Sequence, residues 1–324
     1  MNSNLHRIIV STPFLVGPVN VYLLDGPEPA LVDAGPNTEQ AWTTLHAGLA
    51  AHGRTLADIR HLVITHTHPD HFGLAARIAA ESGARVYSHH YNVERLAGAQ
   101  SAMQNQDDWM MRLLREAGVP PRDLEDMRQD FGDSEQYSLP VVVDVALDDG
   151  DSLPLGQEHW EVVHTPGHAR GHICLFHEPS GRLLSGDHLI RNISSNPIVE
   201  PPLPGEVERP HTLSQYIRSL KKIASMNVTV AYPGHGGPIT DTRGLIARRL
   251  EFHRRRAEQI AAIVAESPKT PYQIAQTLFP TLRGMNLFLA VSETIGHLDI
   301  LEEEGRVRSE GVDGLRLYSL AENA

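Results

Sequence analysis

A single cysteine, Cys174, stands in the whole chain, so no intramolecular disulfide can form. It lies between Ile173 and Leu175 in a strand-like run, which reads as a buried, inert thiol and suits a cytoplasmic protein. Long hydrophobic runs are also missing, and none approaches the ~18 residues of a membrane span. Before Pro18 the only Lys or Arg is Arg7, and the apolar stretch is broken by Ser11, Thr12 and Pro13; the segment reads as strand, not as a secretory signal. Positive charge is scarce. With 28 Lys and Arg against 40 Asp and Glu, the net charge of −12 gives a long-range field that disfavours polyanionic partners.

What the chain does have is histidine in a telling order. The run Thr65-His66-Thr67-His68-Pro69-Asp70-His71 packs four metal-ligand types directly after the apolar Leu62-Val63-Ile64. Imidazole and carboxylate suit zinc and its first-row neighbours, and alternate residues of an extended segment point the same way, so His66 and His68 can reach one ion together. Asp70 and His71 then face a second position. Further candidates follow strand-like runs at turns rich in glycine and proline: Thr165-Pro166-Gly167-His168, Gly186-Asp187-His188 and Pro233-Gly234-His235-Gly236. Such turns let the backbone reverse and place a side chain at a strand end. His6, His46, His52, His61, His89, His177 and His297 have no such context and read as surface or satisfied core residues.

Asp33 in Leu31-Val32-Asp33-Ala34-Gly35, the His-x-His-x-Asp-His run, His168, Asp187 and His235, in that order, resemble the five motifs of the metallo-β-lactamase superfamily over roughly the first 265 residues. The resemblance implies a four-layer αββα sandwich and a dinuclear centre. One divalent ion would be held by His66, His68 and His168, the other by Asp70, His71 and His235, and Asp187 would bridge them. Zinc is the expected metal, and manganese and iron tolerate the same mixed set. The implied chemistry is hydrolysis by a water or hydroxide shared between the ions, with Asp70 as the catalytic group that orients it. His188, Tyr216 and Tyr232 are weaker candidates for substrate contact.

Length and composition suggest an ordinary globular chain of two domains. Strand, ligand loop and helix alternate, with helical patterns at Thr38 to His52 and Leu74 to Ser82, which argues an α/β sandwich with its ligands at one sheet edge. Residues 91–138 break the rhythm and read as a helical insertion able to cover that edge. Its Met and Trp residues are expected to form the insertion's own core, with a substrate wall as the alternative. Asp241 caps a helix from Thr242 to Glu266 whose many arginines read as a solvated face paired with Glu251 and Glu258. Ser267-Pro268-Lys269-Thr270-Pro271 divides a domain at 1–265 from a small one at 266–324, whose helices Tyr272 to Leu278 and Leu287 to Glu303 and final ribbon resemble a winged-helix unit. From Glu266 onward five Lys or Arg stand against nine Asp or Glu, so docking or homodimerisation fits this unit better than nucleic acid.

The expected function is a metal-dependent hydrolase of a small acyl compound, a thioester, ester or lactone. The alternative is an endoribonuclease or phosphodiesterase acting on single-stranded RNA or another phosphodiester; a sulfur-oxidising iron enzyme and a non-catalytic metal scaffold are more distant. Related flavin-containing di-iron oxidoreductases tend to carry a carboxylate where this chain has His68. True β-lactamases usually depart from the ligand set around Asp70 and Asp187, which argues against antibiotic hydrolysis as the main activity.

Overall fold

The computed structural model describes residues 4–98 and 100–321, the side chains of 100–106 excepted. The outer ends of the two expected domains, 1–3 and 322–324, lie outside the described residues, as does residue 99 of the insertion. Strands β1 (Leu5–Val10), β2 (Val19–Leu24) and β3 (Ala30–Val32) lead into helix α1 (Glu39–Ala51) and strand β4 (His61–Val63). Helices α2 (Pro69–Phe72) and α3 (Ala75–Ser82), strand β5 (Arg85–His89), helices α4 (Val93–Leu96), α5 (Gln100–Glu116) and α6 (Pro121–Glu135), and strand β6 (Val145–Leu147) complete the first half. Strands β7 (Ser152–Leu155), β8 (Glu158–His164), β9 (Ile173–His177) and β10 (Arg182–Gly186) precede helix α7 (Thr212–Ser225), strand β11 (Val230–Pro233) and helix α8 (Thr242–Glu266). Helices α9 (Pro271–Leu278) and α10 (Gly284–Glu303) and the ribbon β12 (Val307–Val312) and β13 (Leu315–Leu320) close the described chain.

Two mixed sheets result, ordered β1-β2-β3-β4-β5-β6 and β11-β10-β9-β8-β7. Strand β2 is buried on both faces, and its period-two alternation divides it between two cores. Val19, Val21 and Leu23 pack with Leu45 and Leu49 of α1, whereas Tyr22 and Leu24 pack with Trp160, Val162 and Leu175 of the other sheet. Behind that second sheet, Cys174 and Leu183 meet Leu213 and Leu220 of α7, and the thiol is buried as expected. The chain leaves the C-terminal ends of β4, β8, β10 and β11 through the segments that carry the candidate ligands.

The helical insertion forms, as α4, α5 and α6, but its core is not its own. Met110, Met111, Leu114 and Met127 share one cluster with Leu287, Phe288, Val291 and Ile295 of α10. The order helix, helix, ribbon after Pro268 agrees with expectation, yet α10 is a central helix and not a peripheral one. It packs on α6, α7, α8 and α9, and at Gly296 an added Cβ would lie 2.9 Å from Leu213 Cβ, so the glycine allows the close approach to α7. The far half of α8 also crosses the expected boundary, because Ile260, Ala261 and Val264 pack with Leu298, Leu301 and Tyr318. A split at 266 therefore cuts through two shared cores, a feature that local composition at a Pro-rich junction cannot reveal.

A buried polar chain joins these layers. His297 Nδ1 lies 2.7 Å from the Glu293 carbonyl, to which it donates; His297 Nε2 can then accept from His253 Nδ1 at 3.2 Å, leaving His253 Nε2 to accept from Ser194 Oγ at 3.4 Å. Both rings are neutral in this arrangement. Burial, then the neighbouring ring, lowers His253 to about 3, and burial lowers His297 to about 4. The unfolded chain binds these protons at higher pH, so stability falls as pH drops from about 6.5 towards 4, by at most about 1.4 kcal/mol per pH unit for each ring. Melting temperature measured against pH at fixed metal content should show a shallower acid slope for His297→Gln than for the parent, even if the variant melts lower at pH 7.

Candidate metal centre

Asp33 turns at a left-handed φ of 64°, which an aspartate tolerates better than most residues, and is buried beneath the site. Its Oδ1 accepts from the Thr65 amide at 2.9 Å, while Oδ2 accepts from Thr65 Oγ1 at 3.0 Å and from His71 Nδ1 at 2.7 Å. The Thr65 hydroxyl, having donated to Asp33, is left to accept from His66 Nδ1 at 3.0 Å. His168 Nδ1 donates to the Asn196 carbonyl at 3.0 Å, and His235 Nδ1 donates to the Pro18 carbonyl at 2.9 Å. In all four rings Nδ1 is the committed donor, which turns Nε2 towards the site.

Those Nε2 atoms converge. His66 Nε2 and His168 Nε2 lie 3.0 Å and 3.1 Å from His68 Nδ1. The spacing is close to the ~3.3 Å edge of a tetrahedron with bonds of about 2.05 Å, the usual zinc to nitrogen distance. Pro69 at the first position of α2 presets the turn, so Asp70 and His71 follow at once on the other side. Asp70 Oδ2 is 3.3 Å from His235 Nε2, and His71 Nε2 is 3.3 Å from Asp187 Oδ1. The second oxygen of Asp187 lies 3.6 Å from His235 Nε2 and 3.8 Å from His168 Nε2, which puts this carboxylate between the two groups. At Gly234 a Cβ would collide with Asp187 Oδ1 and His71, so only glycine fits there.

His66, His68 and His168 form one set able to hold a cation; Asp70, His71 and His235 form another. A bound cation fits what is present, because His71 Nε2, His235 Nε2 and Asp187 Oδ1 are buried without any hydrogen-bond partner. Electrostatics agree. Burial, followed by the neighbouring imidazoles, holds His66 far below its ordinary value and lowers His68 to about 3. Burial opposes charge on Asp187 too, but His71 and His235 outweigh it and keep the carboxyl well below the carboxylate range. The arrangement gathers neutral nitrogens at His66, His68 and His168, and on the other side carboxylates, Asp187 foremost, that raise His71 and His235 against their burial.

One contributor has no counterpart in the sequence reading. His172 is fully buried; its Nε2 accepts from the Asp187 amide at 3.1 Å, and Nδ1 bonds Thr165 Oγ1 at 2.8 Å. It fixes the backbone that carries Asp187, and its four-residue spacing from His168 was the available signal. Of the weaker candidates, none lines the cavity described below. His188 and Tyr216 pack on each other behind the site at 5.3 Å, and Tyr232 stands edge-on to Tyr22 between the sheets.

His68, Asp70, His168 and Asp187 face a cavity of about 640 Å³. Its other walls are Phe14 and Val16 from the β1–β2 loop, Met110 and Met111 of α5, Phe131 of α6, Ile190 and Ile198, and Met285, Phe288 and Leu289 of α10. The insertion methionines are thus both core and wall.

A model of the metallo-beta-lactamase superfamily matches residues 15–235. The chain belongs to that superfamily. It is 41% identical over 302 residues to a probable metallo-hydrolase, YqjP, of Bacillus subtilis, with 93% of each chain covered. The superfamily protein TTHA1429 of Thermus thermophilus, of known structure, aligns with a TM-score of 0.84 at 31% identity and 98% coverage of both chains. An atrochrysone carboxyl ACP thioesterase of Aspergillus fumigatus is 24% identical over 255 residues, which are 78% of this chain and 46% of that protein. The chain is a metallo-hydrolase of this superfamily, and its His and Asp clusters are of the kind that bind divalent metals.

Replacing Asp33 with Asn keeps an acceptor for the Thr65 amide but turns an amide nitrogen towards Thr65 and His71. Metal affinity, read by competition with a chromogenic chelator, should fall about 10–100-fold, the usual cost of losing such an outer partner. Circular dichroism should stay unchanged.

Proposed function

We propose that this superfamily member hydrolyses a small uncharged acyl compound, a thioester, ester or lactone, at a dinuclear centre, expected to be zinc, held by His66, His68 and His168 on one side and by Asp70, His71 and His235 on the other, with Asp187 shared. The observation that carries the reading is the joining of this donor set to a cavity with mostly apolar walls. Divalent ions bound there supply Lewis acidity that polarises an acyl carbonyl and acidifies water. Asp70 faces the cavity with its Oδ2 3.3 Å from His235 Nε2, so it is placed to orient a water and to keep its proton until the leaving group departs. Phe131, Met285 and Phe288 exclude bulk water from the same space.

The αββα layering is taken as the scaffold, and the C-terminal segment as a winged-helix-like unit that serves as cavity wall in a cytoplasmic enzyme. The RNA-cleaving alternative draws little from this surface. On α8, Arg248 pairs with Asp241 at 3.1 Å, and Arg254 and Arg255 pair with Glu251 at 2.8 and 2.6 Å. At the cavity rim, Arg95 and Arg128 are outnumbered by Asp107, Asp108 and Glu135. Polyphosphate binding needs unpaired positive surface.

Metal-replete protein should hydrolyse an acyl thioester or a lactone and leave single-stranded RNA intact, with Asp70→Ala reducing the acyl rate by at least about 100-fold. RNA cleavage lost in Asp70→Ala would instead establish the phosphodiester reading. His168→Ala should lose metal content and turnover together; full occupancy with full activity in that variant would remove it from the ligand set.

A further inference from the structure

We infer that the cavity beside the metal centre is a binding site for a linear apolar acyl chain of roughly eight to twelve carbons, and that α6 and α10 set its length. The inference rests on the acyl-hydrolase reading and names its substrate class. A cavity of about 640 Å³ is of the size that small-molecule sites take. At about 30 Å³ per non-hydrogen atom, the share of a water molecule in its liquid, it holds about twenty such atoms, enough for a medium chain, its ester and a small leaving group.

Most of the lining surface is apolar, and three of its polar residues are engaged elsewhere. Ser195 Oγ bonds the Asp187 carbonyl, Asn196 Nδ2 donates to the Leu289 carbonyl at 2.9 Å, and Ser194 Oγ is turned to His253. The same lining presents Phe131, Met285 and Phe288 to a ligand. Methionine is unbranched and polarizable, so it moulds to a chain without imposing one shape. Three apolar residues stay exposed here, Leu15 at 90%, next to the lining residue Phe14, and the lining residues Val16 at 37% and Ile193 at 46%. The charged lining residues do not favour an anion: Arg95 is 3.6 Å from Glu135, and Asp107 and Asp108 outnumber Arg128. An uncharged leaving group fits this balance.

Gly132 of α6 lines the cavity, and a Cβ placed there meets nothing within 4 Å, so a larger residue can enter this space without disturbing the fold. The test is calorimetric binding of uncharged, unhydrolysable 2-alkanones of five to thirteen carbons to the full chain, repeated in Gly132→Leu and Met285→Ala and paired with hydrolysis of methyl esters of matching lengths. Affinity should rise about fourfold per methylene, the equivalent of about 0.8 kcal/mol, and then level off. Gly132→Leu should bring the levelling two to four carbons earlier, and Met285→Ala should extend it. Flat affinity along the series, or a levelling point that neither variant moves, overturns the inference. The two readings fail separately. Chain-dependent binding without hydrolysis sensitive to Asp70→Ala supports the chain site and rejects the hydrolase, whereas such hydrolysis of acetyl compounds with flat binding rejects the chain site alone.

Discussion

One buried carboxylate organises the centre of this protein. Asp33 holds the Thr65 amide, the Thr65 hydroxyl and the His71 ring at once, and Thr65 passes the constraint to His66. Each bond to a charged group contributes about 1.5–3 kcal/mol, but the larger effect is directional. With Nδ1 of His66, His71, His168 and His235 committed to fixed acceptors, Nε2 of each ring is left facing the site. The nitrogens of His66, His68 and His168, about 3 Å apart and held neutral by burial, gain nothing from one another in a buried space. The fold therefore holds, by bonds outside the site, an arrangement that is unfavourable until a cation occupies it, which is what preorganisation of a metal site means physically.

The same constraint reaches the C-terminal segment. The carbonyl that receives His168 belongs to Asn196, whose side chain is bonded to Leu289 in α10, and the Val199 amide donates to Ser292 Oγ at 2.9 Å in the same helix. Arg249 of α8 ties down the carbonyls of Ile190, Arg191 and Ile193 on the near side of that loop. Segment 190–199 is thus gripped by two helices, and it presents both the acceptor for a candidate ligand and part of the cavity wall. Positioning of the ring and shape of the pocket are coupled, since any movement of α10 is felt by His168 and by Phe288 together.

The candidate ligands were legible in the sequence because their chemistry is local. The His-x-His-x-Asp-His run is contiguous, and each distant partner stands beside a glycine that its turn requires, Gly167, Gly186 or Gly234. Helices with a clear amphipathic pattern were legible to within a residue or a few: Thr38 to His52 was expected and Glu39–Ala51 is found. What stayed hidden depends on long-range packing. Helix α10 is buried nearly all round, so its composition says that it is covered but not by what, and the Pro-rich junction before α9 resembles a domain linker although two cores cross it. His172 was hidden for a related reason, since its spacing from His168 marks it out but does not say that it will grip the backbone of Asp187.

The arginines of α8 show how the same residues can mislead and then explain. As a string they suggest a track for phosphates, yet the fold gives most of them specific acceptors: Arg249 takes three carbonyls, Arg256 takes Glu293 at 3.0 Å, and Arg254 and Arg255 share Glu251. A phosphodiester would have to break such pairs, or else lay its charges along Phe131, Met285 and Phe288, where an unpaired ion loses its hydration without compensation. An uncharged acyl group incurs neither cost. It gains by burying its chain, and its carbonyl is the single polar group that must reach the donor set. A cavity that joins the donor set to a largely apolar lining is what such a molecule requires.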